Sequence, residues 1–129
     1  MTENKNLNTL AESYNTDKLE HGYIKIYEKY FESIRNENLK ILEIGIADGK
    51  SLLMWSDYFK NSTVIGIDIH KIDVKEKKLD RNNIKLHQGS QSDNKFINEI
   101  NHFFCSVFYF IGKIISIKIQ PIYSRQANT

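Results

Sequence analysis

Tyr23, Ile26, Tyr27, Tyr30, Phe31 and Ile34 follow the i, i+3, i+4, i+7 spacing of an amphipathic helix over residues 22–35. Asn36, Glu37 and Asn38 close it as a polar connector. The pattern then changes: residues 39–45 (LKILEIG) form a near-continuous apolar run ending at a glycine, as expected of a strand buried on both faces. Residues 51–59 return to helical spacing, with Leu52, Trp55 and Phe59 on one face. The β-branched run 63–69 (TVIGIDI) predicts a second buried strand and residues 84–87 a third, shorter one. Between these two, residues 71–81 are dense in charge and predict a solvated helix or loop covering the sheet. Asp93 is placed to cap a helix over 94–101, and residues 1–9 read as a polar lead-in.

Strands alternating with helices at these spacings imply βαβ units and a parallel sheet, the α/β class. Three segments follow: a helical lead-in over 1–38, a Rossmann-like half over 39–101, and a divergent hydrophobic tail over 102–129. In the tail Phe103, Phe104, Phe108, Tyr109 and Phe110 are crowded together, and isoleucines follow without a helical period. A fourth strand belongs somewhere in this tail, but the pattern does not place it. A half-sheet would leave a long unpaired strand edge and an exposed apolar face, with poor solubility as the expected result.

Composition narrows the function. The 129 residues carry 18 Lys+Arg against 16 Asp+Glu, a net charge of +2 scattered along the chain. That is no footprint for nucleic acid or anionic lipid. One cysteine, Cys105, excludes an internal disulfide framework. No apolar stretch stands behind a basic start, and the greasy run 103–119 is interrupted by Lys113 and Lys118, short of a membrane helix. The expectation is a cytoplasmic protein with no nucleic-acid or membrane partner.

Chemistry concentrates where the first strand meets the next helix, Glu43-Ile44-Gly45-Ile46-Ala47-Asp48-Gly49-Lys50-Ser51. A strand, a glycine turn and a helix N-terminus make the usual ligand crevice of an α/β sheet. A triphosphate loop needs four residues between its first glycine and Gly-Lys-Ser; here three separate Gly45 from Gly49. A dinucleotide fingerprint needs a middle glycine where Ala47 stands. S-adenosylmethionine carries cationic sulfonium and ammonium groups and no phosphate, so acids in the loop favour it. Asp68, ending the second strand, would hold its ribose hydroxyls by accepting two hydrogen bonds at once. The turn from Gly89 to Asp93 would offer polar groups, Gln91 and Asp93 among them, to the adenine edge.

With these residues in register, the sequence resembles the class I S-adenosylmethionine-dependent methyltransferases, and within them the macrocin (mycinose-type) sugar O-methyltransferases. The residues carrying the resemblance are Thr16-Asp17-Lys18, His21 with Tyr23 and Tyr27, Leu42 to Gly45, Gly49 to Leu52, Trp55 with Tyr58-Phe59, Gly66 to Asp68, and Gly89 to Asp93. It covers roughly residues 10–100. The resemblance implies a Rossmann-like fold, here truncated to its N-terminal half, and methyl transfer to a hydroxyl of a sugar, glycan or glycosylated natural product. It implies a donor site of Glu43, Gly45, Gly49, Ser51, Asp68, Gln91, Asp93 and Tyr23, and a homo-oligomer in a full-length form. It also implies Mg²⁺ bound beside a histidine base from an Asp-Asp-Gly-Ser-His-like segment, which is missing here: residues 103–119 contain no Asp, Glu or His. The chain thus reads as departing from the family near residue 101, as a frameshift or early stop would produce. The alternative to an active enzyme is an inactive fragment that at best binds the donor. Asp17 and Lys18 read either as part of this motif or as an exposed ion pair, and Trp55 reads as core.

Overall fold

The computed structural model describes residues 4–19, 22–90, 92–96, 98–99, 107–111 and 115–119. Its elements are α1 (Leu7–Tyr14), a 3₁₀ turn (Asp17–Leu19), α2 (Tyr23–Phe31), a second 3₁₀ turn (Glu32–Ile34), β1 (Lys40–Ile44), α3 (Lys50–Tyr58), β2 (Thr63–Asp68), β3 (Ile84–Gln88), β4 (Val107–Ile111) and β5 (Ile115–Ile119). The predicted helix over 22–35 and the first three strands therefore form within a residue or two of the expected bounds at most ends, the helix finishing as a 3₁₀ turn. Residues 71–81 form turns rather than a helix, and Asp93 Oδ1 accepts from the backbone N–H of Lys95 and Phe96 at the start of the predicted last helix.

The polar lead-in is corrected. A helix begins at Leu7, with the Asn6 side chain accepting from Thr9 N–H at 2.7 Å and Asn15 closing the other end in the left-handed region. Such a cap satisfies donors that have no partner within the helix. Leu7, Leu10 and Ala11 of α1 are buried.

The sheet order is β3-β2-β1-β5-β4. β1 and β2 pair in parallel, with Glu43 opposite Gly66, and β2 and β3 pair in parallel from Val64 opposite Ile84 to Asp68 opposite Gln88. The order 3-2-1 is half of a doubly wound sheet, in which the next strand beside β1 is also parallel. Here β5 takes that place antiparallel to β1, and β4 pairs antiparallel with β5. The parallel expectation therefore holds for β1 to β3, and the antiparallel β5 and β4 make the whole a mixed sheet. Three residues separate β4 from β5, too few for a parallel crossover.

Side chains of β1 to β3 alternate between two faces. Ile41, Val64 and Ile84 join the large core beneath α1, α2 and α3. Leu42, Ile65 and Ile67 form a smaller cluster on the opposite face, with Ile44 and Phe96 against it. Alternation sends Glu43, two residues from Ile41, into the helical side. There Trp55 is fully buried among Tyr27, Phe31, Tyr58 and Phe59, with ring centroids 5.5–6.4 Å from its own, the tilted and edge-on spacings aromatic pairs favour.

A polar clasp ties α1 to α3 and to the β2–β3 connection. Tyr14 Oη donates to Asp57 Oδ2. The Arg81 guanidinium donates to Asp57 Oδ1 at 2.7 Å and to Tyr14 Oη at 2.9 Å. Leu79, in the same connection, is buried against Gly49.

Candidate functional site

The loop from Gly45 to Gly49 leaves the carboxyl end of β1 and enters α3, so it lies where α/β sheets bind ligands. Gly45 and Gly49 adopt φ of +83° and +81°, and Ala47 between them φ of +50°. The two glycines supply a backbone turn that side-chained residues resist; Ala47 adopts it at a cost of ~1 kcal/mol. Gly45, Ala47 and Asp48 face solvent. Asp48 pairs with the half-exposed Lys50 at 3.7 Å, which leaves the loop with an acid and no free lysine for a phosphate.

Asp68 ends β2 beside this loop. Its Oδ2 accepts from Ile46 N–H at 2.9 Å and Ala47 N–H at 3.4 Å, and its Oδ1 from His70 N–H at 3.0 Å. Partial burial works against the charge, but these three backbone donors outweigh it and hold the carboxyl below the usual aspartate pKa. The carboxylate is ionised and fixed, and each oxygen keeps lone pairs for further hydroxyl donors. The sequence singled out Asp68 at the end of β2; it did not show that this acid organises the loop.

Below the loop the arrangement is different. Glu43 is buried at 1% exposure and its Oε2 has no hydrogen-bond partner. Burial pushes its pKa up to about 7, against the pull of the Lys18 ammonium and the Trp55 indole N–H. That N–H lies near enough to act on the carboxyl, yet neither it nor Glu43 Oε2 completes a hydrogen bond. Lys18, read from sequence as either motif or surface pair, is buried and donates to Ser51 Oγ at 2.8 Å. Ser51 is itself buried in the first turn of α3, so its hydroxyl faces Lys18.

The remaining predicted residues are spread around this centre. Tyr23 opens α2, is 45% exposed and has its ring 6.1 Å from that of Tyr27. Asp93 is exposed and engaged as a helix cap. Gly89 donates its N–H to the Asp68 carbonyl at 2.8 Å, and the Phe96 ring lies against its Cα. Gln91, His21 and Cys105 lie outside the described residues. Among the described residues no group of three His, Cys, Asp or Glu could hold a metal ion, and no helix is long and apolar enough to cross a membrane. Sequence reading gave Lys18 no role in the site, and nothing local marks it: its partners Glu43 and Ser51 are distant in sequence.

Comparison with known proteins decides the relationship. The chain is 30% identical over 103 residues to mycinamicin VI 2''-O-methyltransferase of Micromonospora griseorubida, covering 73% of this chain and 25% of that protein. It is 32% identical over 103 residues to 8-demethyl-8-(2-methoxy-alpha-L-rhamnosyl)-tetracenomycin-C 3'-O-methyltransferase of Streptomyces olivaceus, with the same coverage. The chain is homologous to sugar O-methyltransferases. No protein-family model matches it. Its fold superposes on the MycE methyltransferase of the mycinamycin biosynthetic pathway, solved in complex with Mg, S-adenosylhomocysteine and mycinamycin VI. That match has a TM-score of 0.69 at 28% identity and covers 78% of this chain and 29% of the MycE chain. The chain thus spans about a quarter of the length of the sugar O-methyltransferases it matches. Within that quarter it keeps the strand–loop–helix–strand unit just described.

Proposed function

We propose that this chain forms the methyl-donor site of an S-adenosylmethionine-dependent sugar O-methyltransferase. The observation carrying the proposal is Asp68: an ionised carboxylate at the end of β2, fixed by the amides of the Gly45–Gly49 loop and able to accept from vicinal ribose hydroxyls. Supporting it are the exposed acid of the loop, which favours a cationic donor over a phosphate, and the homology to enzymes acting on glycosylated substrates.

In the proposed reaction the acceptor hydroxyl oxygen attacks the methyl carbon of the sulfonium. A C–O bond forms as the S–CH₃ bond breaks, the electron pair stays on sulfur to give neutral S-adenosylhomocysteine, and the hydroxyl proton leaves to a base. The described residues bind and orient the donor: the loop receives its methionine end, Asp68 its ribose, and the Gly89 turn with Asp93 its adenine. Tyr23, at the head of α2, lines the approach. MycE holds magnesium, but the described residues offer no group that fits a divalent ion, so no step is assigned to a metal here.

The test is calorimetric titration of the chain with S-adenosylhomocysteine, with NAD as control. Binding in the micromolar range and about 100-fold weakening by Asp68→Ala are expected, the latter from losing two charge-assisted hydrogen bonds at ~1.5 kcal/mol each. Preference for NAD, or full affinity in Asp68→Ala, overturns the proposal.

A further inference from the structure

Lys18 acts on both ends of the donor loop, by contact at the Ser51 end and by charge alone at the Glu43 end. Its ammonium donates to Ser51 Oγ at 2.8 Å, two residues past Gly49. It also faces the carboxyl of Glu43, two residues before Gly45, and is the main influence opposing burial there. The two charges form no direct ion pair. A buried ammonium beside the first turn of a helix is opposed both by desolvation and by the helix dipole; the Ser51 hydroxyl is its hydrogen-bond partner, and Glu43 adds a compensating negative charge once pH passes about 7. The loop between the two contacts is solvent-exposed at Gly45, Ala47 and Asp48 and runs through three successive positive-φ positions at 45, 47 and 49. A segment of that conformation holds its shape only when its surroundings fix it. Asp68 does so from the ligand side and Lys18 from the core side.

We propose that Lys18 is a positioning residue: holding Ser51 by a hydrogen bond and Glu43 by charge, it fixes both ends of the donor loop without touching the donor. The inference rests on the donor-site reading and deepens it. It adds a contact from the segment ahead of α2 to a loop otherwise held by β1, α3 and β2. Sequence separation hides the arrangement, since Lys18 and Ser51 are 33 residues apart.

Two measurements on the full chain test it. The first is amide hydrogen exchange of residues 45–49 in the unliganded protein, in wild type and Lys18→Met. The second is S-adenosylhomocysteine affinity of the same proteins between pH 6 and 9. Expected are exchange at least tenfold faster in 45–49 with α1 and β3 unchanged, affinity at least tenfold weaker, and a pH midpoint for binding that moves upward. The shift follows because Glu43 loses the cation that lowers its pKa while Asp17, Asp48 and Tyr27, which raise it or are raised by it, remain. If Lys18→Met does not fold, the double variant Lys18→Met/Glu43→Gln, which leaves neither charge buried alone, takes its place and shows the same local exchange and affinity losses. Wild-type exchange in 45–49, or a loss spread evenly over the molecule, overturns the positioning role. Failure of wild type to bind S-adenosylhomocysteine would sink the donor reading instead, and exchange alone would then decide whether Lys18 fixes the loop.

Discussion

Glu43→Gln is the most informative single change, because it isolates the buried carboxyl beneath the Gly45–Gly49 loop. Folding raises the Glu43 pKa from 4.5 to about 7, chiefly by desolvation. The folded state therefore holds this proton more tightly than the unfolded chain. Between about pH 4.5 and 7 the native state binds more protons than the unfolded one, so stability falls as pH rises. The contribution is fully present below pH 4.5 and is lost once pH passes the folded value near 7. At 1.36 kcal/mol per unit, a shift of about 2.5 units corresponds to about 3 kcal/mol. Glutamine keeps the shape and cannot ionise, so the variant lacks this loss. The assay is urea unfolding of both proteins at pH 5, 6, 7 and 8. The stability of wild type relative to Glu43→Gln should fall by about 2–3 kcal/mol over this range, with most of the change below pH 7.5. Parallel curves would show that Glu43 is already ionised when buried, and would refute the desolvation argument.

Two further perturbations probe the frame of the site. Gly66→Ala places a methyl group 2.7 Å from Leu52 Cδ1 and 2.8 Å from Ile46 Cδ1; overpacking of this kind costs about 1–3 kcal/mol. It should lower the thermal midpoint and weaken S-adenosylhomocysteine binding by displacing Ile46, whereas an unchanged melt would contradict the packing. Asn6→Ala removes the cap of α1 and should cost about 1 kcal/mol in chemical unfolding, with no change in donor affinity.

The central unit was legible in the sequence for a physical reason. Strands covered on both faces are written as continuous apolar runs, and residues 39–45 and 63–69 carry that signature irrespective of neighbours. Asp68 was legible because a carboxylate directly after such a run falls at the ligand end of the sheet. α1 was missed because polar residues surround it; Leu7, Leu10, Ala11 and Tyr14 do carry the helical spacing, and Asn6 and Asn15 are its two caps. The direction of β5 was not legible, since a strand's pattern records its buried face and not its partner. Only the three-residue separation from β4 dictates an antiparallel hairpin. The role of Lys18 was hidden because burial of a charge depends on partners that folding brings together. Read locally, Asp17 and Lys18 fit either the Thr16-Asp17-Lys18 motif or an exposed ion pair, and neither reading indicates burial.

Trp55 is the single tryptophan of the chain, and its position makes it an internal optical probe. Tyr27 has its ring centroid 5.5 Å from that of Trp55, close enough to pass its excitation to the indole, and being distant in sequence it loses that proximity on unfolding. Its N–H sits beside the Glu43 carboxyl, and a protonated carboxyl quenches indole emission more strongly than a carboxylate. Fluorescence intensity against pH therefore reads the charge state beneath the Gly45–Gly49 loop without any label. Emission wavelength reads core integrity in the same sample, so the two events can be followed separately in one cuvette.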